Sequence, residues 1–422
     1  MSLNMTDDPE IILSPQQQLV LDDLLLGRNL LVTGRAGTGK SVLLHAARRL
    51  FTGRAMAVCG STGVAAVNVG GCTLHSWAGI GLGDGSAYAL TQAVLRNKPA
   101  TERIRFTEVL ALDEVSMISA ELLDKVDRVF RAVRDDDRPF GGIRMLFFGD
   151  FLQLPPVDGT YAFKSEAWKA AAVKVHELTH VYRQNDERFA WCLSQIRLGI
   201  LSDEVKAILR PRLGAEDPNP KIEPVYLTPL NREADAINQN KFEALPGPKV
   251  VFTAIDSGSV SAQRLLEKSP IPAELNLKKG SRVMCCHNLD HILGIMNGTS
   301  GIVRGFTFQP GGGPSGVIVE YDNGVELTMG PYDKEIHQDG RVIGTRTQIP
   351  LRPAHAVSLH KSQGLTLDKV HLSLWNTFAP SHTYLGLSRC TSLEGLFLRG
   401  FNKKNVFADP EALEFYRLNS AI

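Results

Sequence analysis

Over its first third the chain alternates apolar blocks with amphipathic stretches. Residues 28–32, 55–59, 108–112 and 144–148 are apolar runs of strand length, while 41–51 and 120–134 repeat apolar positions at helical spacing. Strand, helix, strand in that order predicts an α/β fold with a parallel sheet covered on both faces. The Gly-rich stretch 62–84 interrupts the rhythm and predicts a small excursion from the sheet, with a short β element. A second unit begins after about Val181, with helices over 183–213, a strand at 224–227 and a helix at 231–244. Short strands follow at 281–286, 299–308, 316–321 and 325–329. Asp322-Asn323-Gly324 and Asp339-Gly340 are hairpin signals, and Gln309 to Pro314 is a Gly/Pro loop. This spacing predicts a small antiparallel barrel. Strands at 354–358 and 370–373 resume the α/β pattern, so the barrel is expected as an insertion in the second unit. No internal repeat is visible.

Composition narrows the class. At 422 residues the chain exceeds what one core organises. It is 43% hydrophobic and 22% charged with a net charge of +1, an ordinary globular balance. Any polyanion surface must therefore be a local cleft. The six cysteines form no C-x-x-C pair, which predicts reduced thiols. His287 and His291 lie near Cys285 and Cys286, but the alternation around them reads as strand and turn rather than a metal site. No run approaches the roughly 18 apolar residues of a membrane span, and Met1 to Glu10 is polar and acidic, unlike a signal or transit peptide.

Gly34-Arg35-Ala36-Gly37-Thr38-Gly39-Lys40-Ser41 sits between a predicted strand and a predicted helix. This is G-x-x-x-x-G-K-S, a phosphate-binding loop. Its glycines let backbone N–H groups turn onto phosphate oxygens. Lys40 brings charge to the terminal phosphates, Ser41 offers a hydroxyl to Mg²⁺, and the helix start favours the anion. The strand 108–112 leads into Asp113 and Glu114, which suit a Mg²⁺ ligand and a base for the attacking water. The strand 144–148 delivers Gly149-Asp150 and then Gln153 to the same sheet edge, with Pro155-Pro156 stiffening the exit. Arg183 and Arg389, both in the second unit, are of the type that spreads charge on a phosphoryl group in transition. A site assembled from two units couples hydrolysis to their closure. His360, Lys361 and Ser362 offer donors for a phosphate backbone, as do Thr62, Asn68, His75 and Ser76, and more weakly Thr228 and Asn231. Trp77 reads either as a base-facing aromatic or as core, and Tyr182 either stacks on adenine or packs internally.

These motifs together resemble the PIF (petite integration frequency) family of superfamily 1B DNA helicases, over nearly the whole chain. Leu13-Ser14-Pro15-Gln16-Gln17 resembles the adenine-reading segment, with Gln17 as the contact. Residues 61–76 resemble the segment that grips single-stranded DNA and builds a duplex-splitting wedge. The stretch from Leu122 through Ile143 is similar to the one that sets this family apart. Val181-Tyr182-Arg183-Gln184, His360 to Thr366 with Gly364, and Thr383 to Arg389 resemble the later helicase motifs. Gly386 stands where the family more often has Ala. The resemblance implies two RecA-like domains, at 1–181 (wedge about 64–84) and at 182–255 with 346–422, and an inserted SH3-like β-barrel at 256–345. It implies ATP and Mg²⁺ as cofactors, Ser41 and Asp113 as metal ligands, and a nucleotide site of Gln17, Gly34, Ala36 to Ser41, Tyr182 and Gly364. It implies Lys40, Asp113, Glu114, Gln153, Arg183 and Arg389 as the catalytic set, with Pro155 joining the DNA-binding residues. The expected partners are single-stranded and forked or structured DNA, with 5′→3′ movement by a monomeric working unit. No membrane partner is expected. The implied roles extend to repair, recombination, telomere maintenance and G-quadruplex unwinding. The expected location is cytoplasmic in a bacterium or virus, and nuclear or mitochondrial in a eukaryote. The chain is close to a bare helicase core, so regulation through long terminal extensions is not expected. An RNA helicase, a nucleotide-switched DNA clamp and, more remotely, a P-loop kinase remain open as alternatives.

Overall fold

The computed structural model describes residues 13–419 apart from 52–54, 183–185, 216, 218–222, 268, 288, 290–292, 294, 296, 339–340, 364, 374–379 and 401–402. Arg183, Gly364, His291 and the Asp339-Gly340 turn lie outside the described residues, as does the side chain of Asn68.

The first sheet holds β1 (Leu30–Gly34), β2 (Met56–Gly60), β3 (Cys72–Thr73), β4 (Val109–Asp113), β5 (Arg144–Phe148) and β6 (Lys174–Leu178). All pairings are parallel, in the order β3-β2-β4-β5-β1-β6. Period-two alternation divides each strand between two cores. Leu30, Val32, Val109, Leu146 and Phe148 pack with Val20, Leu24, Leu43 and Ala47 on one face. Leu31, Leu110, Leu112 and Phe147 pack with Trp77, Phe130 and Trp168 on the other. Helix Ala120–Arg134 shows how this is encoded. Ser119 caps it by accepting from Leu122 N–H, and Leu123, Val126, Val129, Phe130 and Val133 form its buried stripe.

The Gly-rich excursion carries the expected short β element, Cys72–Thr73, but is mostly helical. It forms helices Gly63–Asn68 and Leu74–Ala78 around the two-residue β3. Thr73 caps the second helix by accepting from Ser76 N–H, a local cap that strand alternation does not reveal.

The second unit has a four-stranded parallel sheet in the order Ala356–Ser358, Val225–Thr228, Val370–Ser373, Leu396–Arg399. Helix Glu187–Arg197 packs onto it through Phe189, Cys192, Leu193 and Ile196. Two boundaries differ from expectation. The last helix, Pro410–Leu418, expected with the second unit, lays Ala412 and Tyr416 into the first unit's core. Its apolar stripe finds a ready aromatic wall there, with Phe415 stacked on Phe163 at 4.3 Å and crossing Phe151 edge-on at 5.2 Å.

The insertion is antiparallel, as expected, but among the described residues it does not close into a barrel. A five-stranded sheet runs Glu326–Met329, Pro314–Tyr321, Ser300–Phe308, Arg282–Cys285, Leu351–Pro353. Separate three-stranded and two-stranded sheets lie beside it. The insertion also reaches beyond 256–345, because Val250–Thr253 pairs with Glu274–Leu277 and Leu351–Pro353 pairs with Arg282–Cys285. One core, including Phe252, Val283, Val303, Val319 and Leu351, joins the five-stranded and two-stranded sheets. The Asp322-Asn323-Gly324 turn is present, with Tyr321 and Val325 paired across it at 2.8 Å and Gly324 at φ +85°.

A buried ion pair ties the two units together. Asp150, just past β5, accepts two bonds from Arg197 of the second unit's helix, from Nε at 2.8 Å and from Nη2 at 2.9 Å. Tyr416 donates to the same carboxylate at 3.2 Å and accepts from Phe151 N–H at 2.8 Å. Its oxygen also lies 2.7 Å from the Thr33 hydroxyl. Asp150 is fully buried and Arg197 is 4% exposed. Burial alone would push the Asp150 carboxyl up, but Arg197 outweighs it and the group sits below its ordinary range. Replacing one member strands the other's charge. Arg197→Leu is expected to lower unfolding stability by about 3–5 kcal/mol at pH 7, read from urea melts. Since the folded carboxyl is depressed, its contribution is complete above the ordinary value of 3.8 and fades only below it. In the variant, burial without Arg197 pushes the same carboxyl up, so its deficit should be largest at pH 8 and narrow as pH falls to 5.

Candidate functional site

Strands β4, β5 and β1 are neighbours, and their carboxyl ends carry the acidic pair, Asp150 and the phosphate loop side by side. The loop turns sharply into helix Lys40–Leu50 at Gly39, whose φ is +83°. A Cβ at Gly39 would stand 2.8 Å from Gln17 Nε2 and 3.4 Å from the Tyr182 ring, so the loop is clasped from both sides. Gln17 donates from Nε2 to the Gly39 carbonyl at 3.2 Å, and its Oε1 accepts from Ser14 N–H at 2.9 Å in a capping box. Tyr182 donates its backbone N–H to the Gly37 carbonyl at 2.8 Å and leaves its ring 54% exposed, the state expected of a stacking face rather than a core aromatic. Lys40 Nζ donates to the carbonyls of Gly34 at 2.6 Å and Arg35 at 3.0 Å. Burial pushes its ammonium pKa down against the opposing pull of Asp150, Glu114 and Asp113.

The acidic pair is strained and crowded. Glu114 adopts left-handed backbone (φ 56°, ψ 46°), unusual for a non-glycine residue and typical of functional turns. Burial, and then the neighbouring Glu114, push the Asp113 carboxyl up to about 7. Burial also raises Glu114, opposed by Lys40, Arg389 and Gln363. The Gln363 carboxamide faces Glu114 and favours its ionised form, although Gln363 Nε2 is outside ordinary hydrogen-bond geometry with any described partner. Asp113 and the exposed Ser41 line one cleft. Oxygen donors held in excess negative charge fit a hard divalent cation such as Mg²⁺.

That cleft, of about 1090 Å³, gathers Gln17, Ala36 to Ser41, Asp113, Glu114 and Gln153 from the first unit with Tyr182 and Arg389 from the second. Gly34 sits just behind it at the end of β1. Gln153 is 5% exposed, with Nε2 3.5 Å from Asp150. Arg389 is 2% exposed and donates to the Leu385 carbonyl at 3.1 Å and the Ser388 hydroxyl at 3.0 Å. A methyl on Gly386 would meet the side-chain ends of Leu359 and Leu372 at 2.9–3.0 Å.

The residues expected to contact nucleic acid divide. His360 and Lys361 are exposed at the end of strand Ala356–Ser358, and Thr62, His75, Ser76 and Pro155 are partly exposed. Trp77 is not a base-facing aromatic. It is 5% exposed and meets Phe130 edge-on at 5.6 Å, because the helix Leu74–Ala78 turns it into the first unit's core. Ser362 is fully buried and donates to the Leu359 carbonyl at 2.8 Å. Thr228 is buried and donates to the Leu230 carbonyl at 3.0 Å. Asn231 accepts from the Ser358 hydroxyl at 2.6 Å. Ser362 and Thr228 spend their hydroxyl protons within the fold, whereas Asn231 is exposed and bonds Ser358 through its oxygen.

Sequence reading missed Arg197, Tyr384 and the part played by Gln363. Gln363 and Tyr384 lie inside recognised motifs, so their position was a signal. Arg197 sits in an unremarked helix, and no local pattern marks it as the partner of Asp150.

A family profile described as PIF1-like helicase matches residues 12–207, and one described as the 2B domain of the DNA helicase Pif1 matches 262–306. The chain is 38% identical over 411 residues to the ATP-dependent DNA helicase PIF1 of Homo sapiens, covering 96% of this chain and 63% of that one. It is 34% identical over 417 residues to the ATP-dependent DNA helicase Pif1 of Bdellovibrio bacteriovorus, covering 97% and 92%. Against the vertebrate relatives it spans 62% to 64% of their length. Among solved structures, Bacteroides sp. Pif1 in complex with ADP-AlF4 superposes with TM-score 0.83 at 28% identity over 98% of each chain. Bacteroides Pif1 bound to ssDNA gives TM-score 0.66 at 30% identity over 97% of each.

Two outcomes are expected from this geometry. Trp77→Ala should destabilise the fold by about 3–5 kcal/mol in urea melts, the cost of a large buried aromatic. Because the folded Asp113 carboxyl is raised to about 7, its ionisation disfavours the folded state increasingly from pH 4 to pH 7. Without metal or nucleotide, Asp113→Asn should therefore melt at a higher temperature than the unaltered chain at pH 8. The gap should narrow at pH 5; calorimetry at both values checks the sign.

Proposed function

This chain belongs to the PIF1-like helicase family, and from that premise we propose that it is an ATP-dependent DNA helicase moving 5′→3′ along single-stranded DNA. The observation that carries the reading is one cleft lined by the phosphate loop, the Asp113-Glu114 pair and Arg389, contributed by both units. Nucleotide held there touches both units at once, so its hydrolysis and release change how they sit against each other.

In this reading the loop amides and Lys40 hold the phosphates, with Gln17 and Tyr182 flanking the base. Ser41 and Asp113 hold Mg²⁺, which when bound neutralises charge on the phosphate oxygens. Glu114 takes a proton from the attacking water, poised by its raised pKa and by Gln363. Gln153 orients that water or the terminal phosphate without adding charge. Arg389 stabilises the charge that develops on the transferred group, and Arg183 is assigned the same role. His360, Lys361, Thr62, Asn68, His75, Ser76 and Pro155 form the strand path across both sheets. Residues 64–84, which include the helix Leu74–Ala78, form the element that parts the duplex. Opening one base step costs about 1.4 kcal/mol, a small demand per nucleotide hydrolysed. All of these groups come from one chain, which supports a monomeric working unit acting on single-stranded and forked DNA.

The test is strand separation on two partial duplexes, one with a 5′ tail and one with a 3′ tail, in ATP and Mg²⁺. Separation from the 5′ tail alone, abolished in Glu114→Gln, is the expected result. Separation from the 3′ tail alone would overturn the polarity. ATP hydrolysis stimulated by single strands without separation from either tail would make the chain a translocase or clamp.

A further inference from the structure

In helix His382–Leu387 the ring of Tyr384 packs in the second unit's core while its hydroxyl reaches the first unit. Tyr384 is 1% exposed, and its hydroxyl oxygen accepts the backbone N–H of Ala36, inside the phosphate loop, at 3.0 Å. Tyr182, which opens the second unit, also donates its backbone N–H to the loop, at the Gly37 carbonyl. Arg35, at its entry, reaches Ala190 of the second unit more loosely at 3.4 Å. Burial, and then the Asp150 carboxylate, push the phenol up, so it stays neutral and available as an acceptor.

Arg389 follows the same helix by two residues and is tied to it. Its Nε donates to the Leu385 carbonyl, Nη2 to the Ser388 hydroxyl and Nη1 to the Leu365 carbonyl at 3.4 Å. Helix and arginine therefore move as one piece, and the Tyr384–Ala36 bond sets how far that piece stands from the phosphate loop. Leu359 and Leu372 of the second unit's core lie against Gly386 in the same helix.

We propose that Tyr384 is a positioning residue for ATP hydrolysis, its hydroxyl docking the arginine-bearing helix on the phosphate loop so that Arg389 reaches the terminal phosphate only when the two units are in register. This rests on the helicase reading above. A displacement of about 1 Å at a catalytic group costs on the order of 10²-fold in rate, so one hydrogen bond at this place has leverage on turnover rather than on binding.

Tyr384→Phe removes the hydroxyl and keeps the ring. Measured as single-strand-stimulated ATP hydrolysis by the full chain, it is expected to lower kcat about tenfold or more while KM changes less than about threefold. A double-mutant cycle separates positioning from packing. In an Arg389→Ala background, Tyr384→Phe should cost less than about twofold further, because there is no longer an arginine to place. Unchanged kcat in Tyr384→Phe, or losses that multiply in the double variant, would overturn the role of Tyr384 while leaving the helicase reading intact. If the unaltered chain hydrolyses no ATP with single strands present, the helicase reading falls and this role falls with it.

Discussion

The junction between the two units depends on the Asp150–Arg197 pair. Two ions removed from water are costly unless each satisfies the other, and here the match is bidentate and supplemented by the Tyr416 hydroxyl. Three distant segments meet at one carboxylate: the end of β5, the helix Glu187–Arg197 and the last helix of the chain. The site next to it inherits its geometry from this junction. Asp150 is followed within three residues by Gln153, and Leu154 already packs in the second unit's core.

Around that junction the charges are arranged so that none is comfortable alone. Lys40 is pushed toward its neutral form by burial, while Asp113 and Glu114 are pushed toward theirs. Each remains charged only by virtue of the others and of whatever enters the cleft. A phosphate chain with a divalent cation supplies what this set lacks, negative charge for the loop and positive charge for the acids. Electrostatic preorganisation of this kind, held by rigid sheet ends, requires little rearrangement when charge develops in the reaction.

Coupling between nucleotide and the second unit is then a matter of short connections. Tyr384 touches the loop, Arg389 lines the cleft, and strand Ala356–Ser358 runs directly into His360 and Lys361, exposed toward the proposed strand path. A shift at the loop travels through packed elements a few residues long. The antiparallel insertion has a core of its own but also packs Met284 into the second unit and lines the cleft with Arg282, Asn297 and Asp322.

The sequence by itself determined the α/β units, the loop, the acidic pair and the late motifs, because each depends on local periodicity or on residues adjacent in the chain. Helix Ala120–Arg134 and strand Arg144–Phe148 fall where the hydrophobic pattern puts them. The tertiary structure alone decided the rest. Trp77 is core because Phe130, far along the chain, meets it there. The last helix joins the first unit because the aromatic wall of Phe151 and Phe163 accepts its stripe. Ser362 and Thr228 turn their hydroxyls to nearby carbonyls. Arg197 and Tyr384 acquire meaning only from partners on the other unit. Periodicity records which face of an element is buried, but not which surface buries it, and that choice is made by long-range packing.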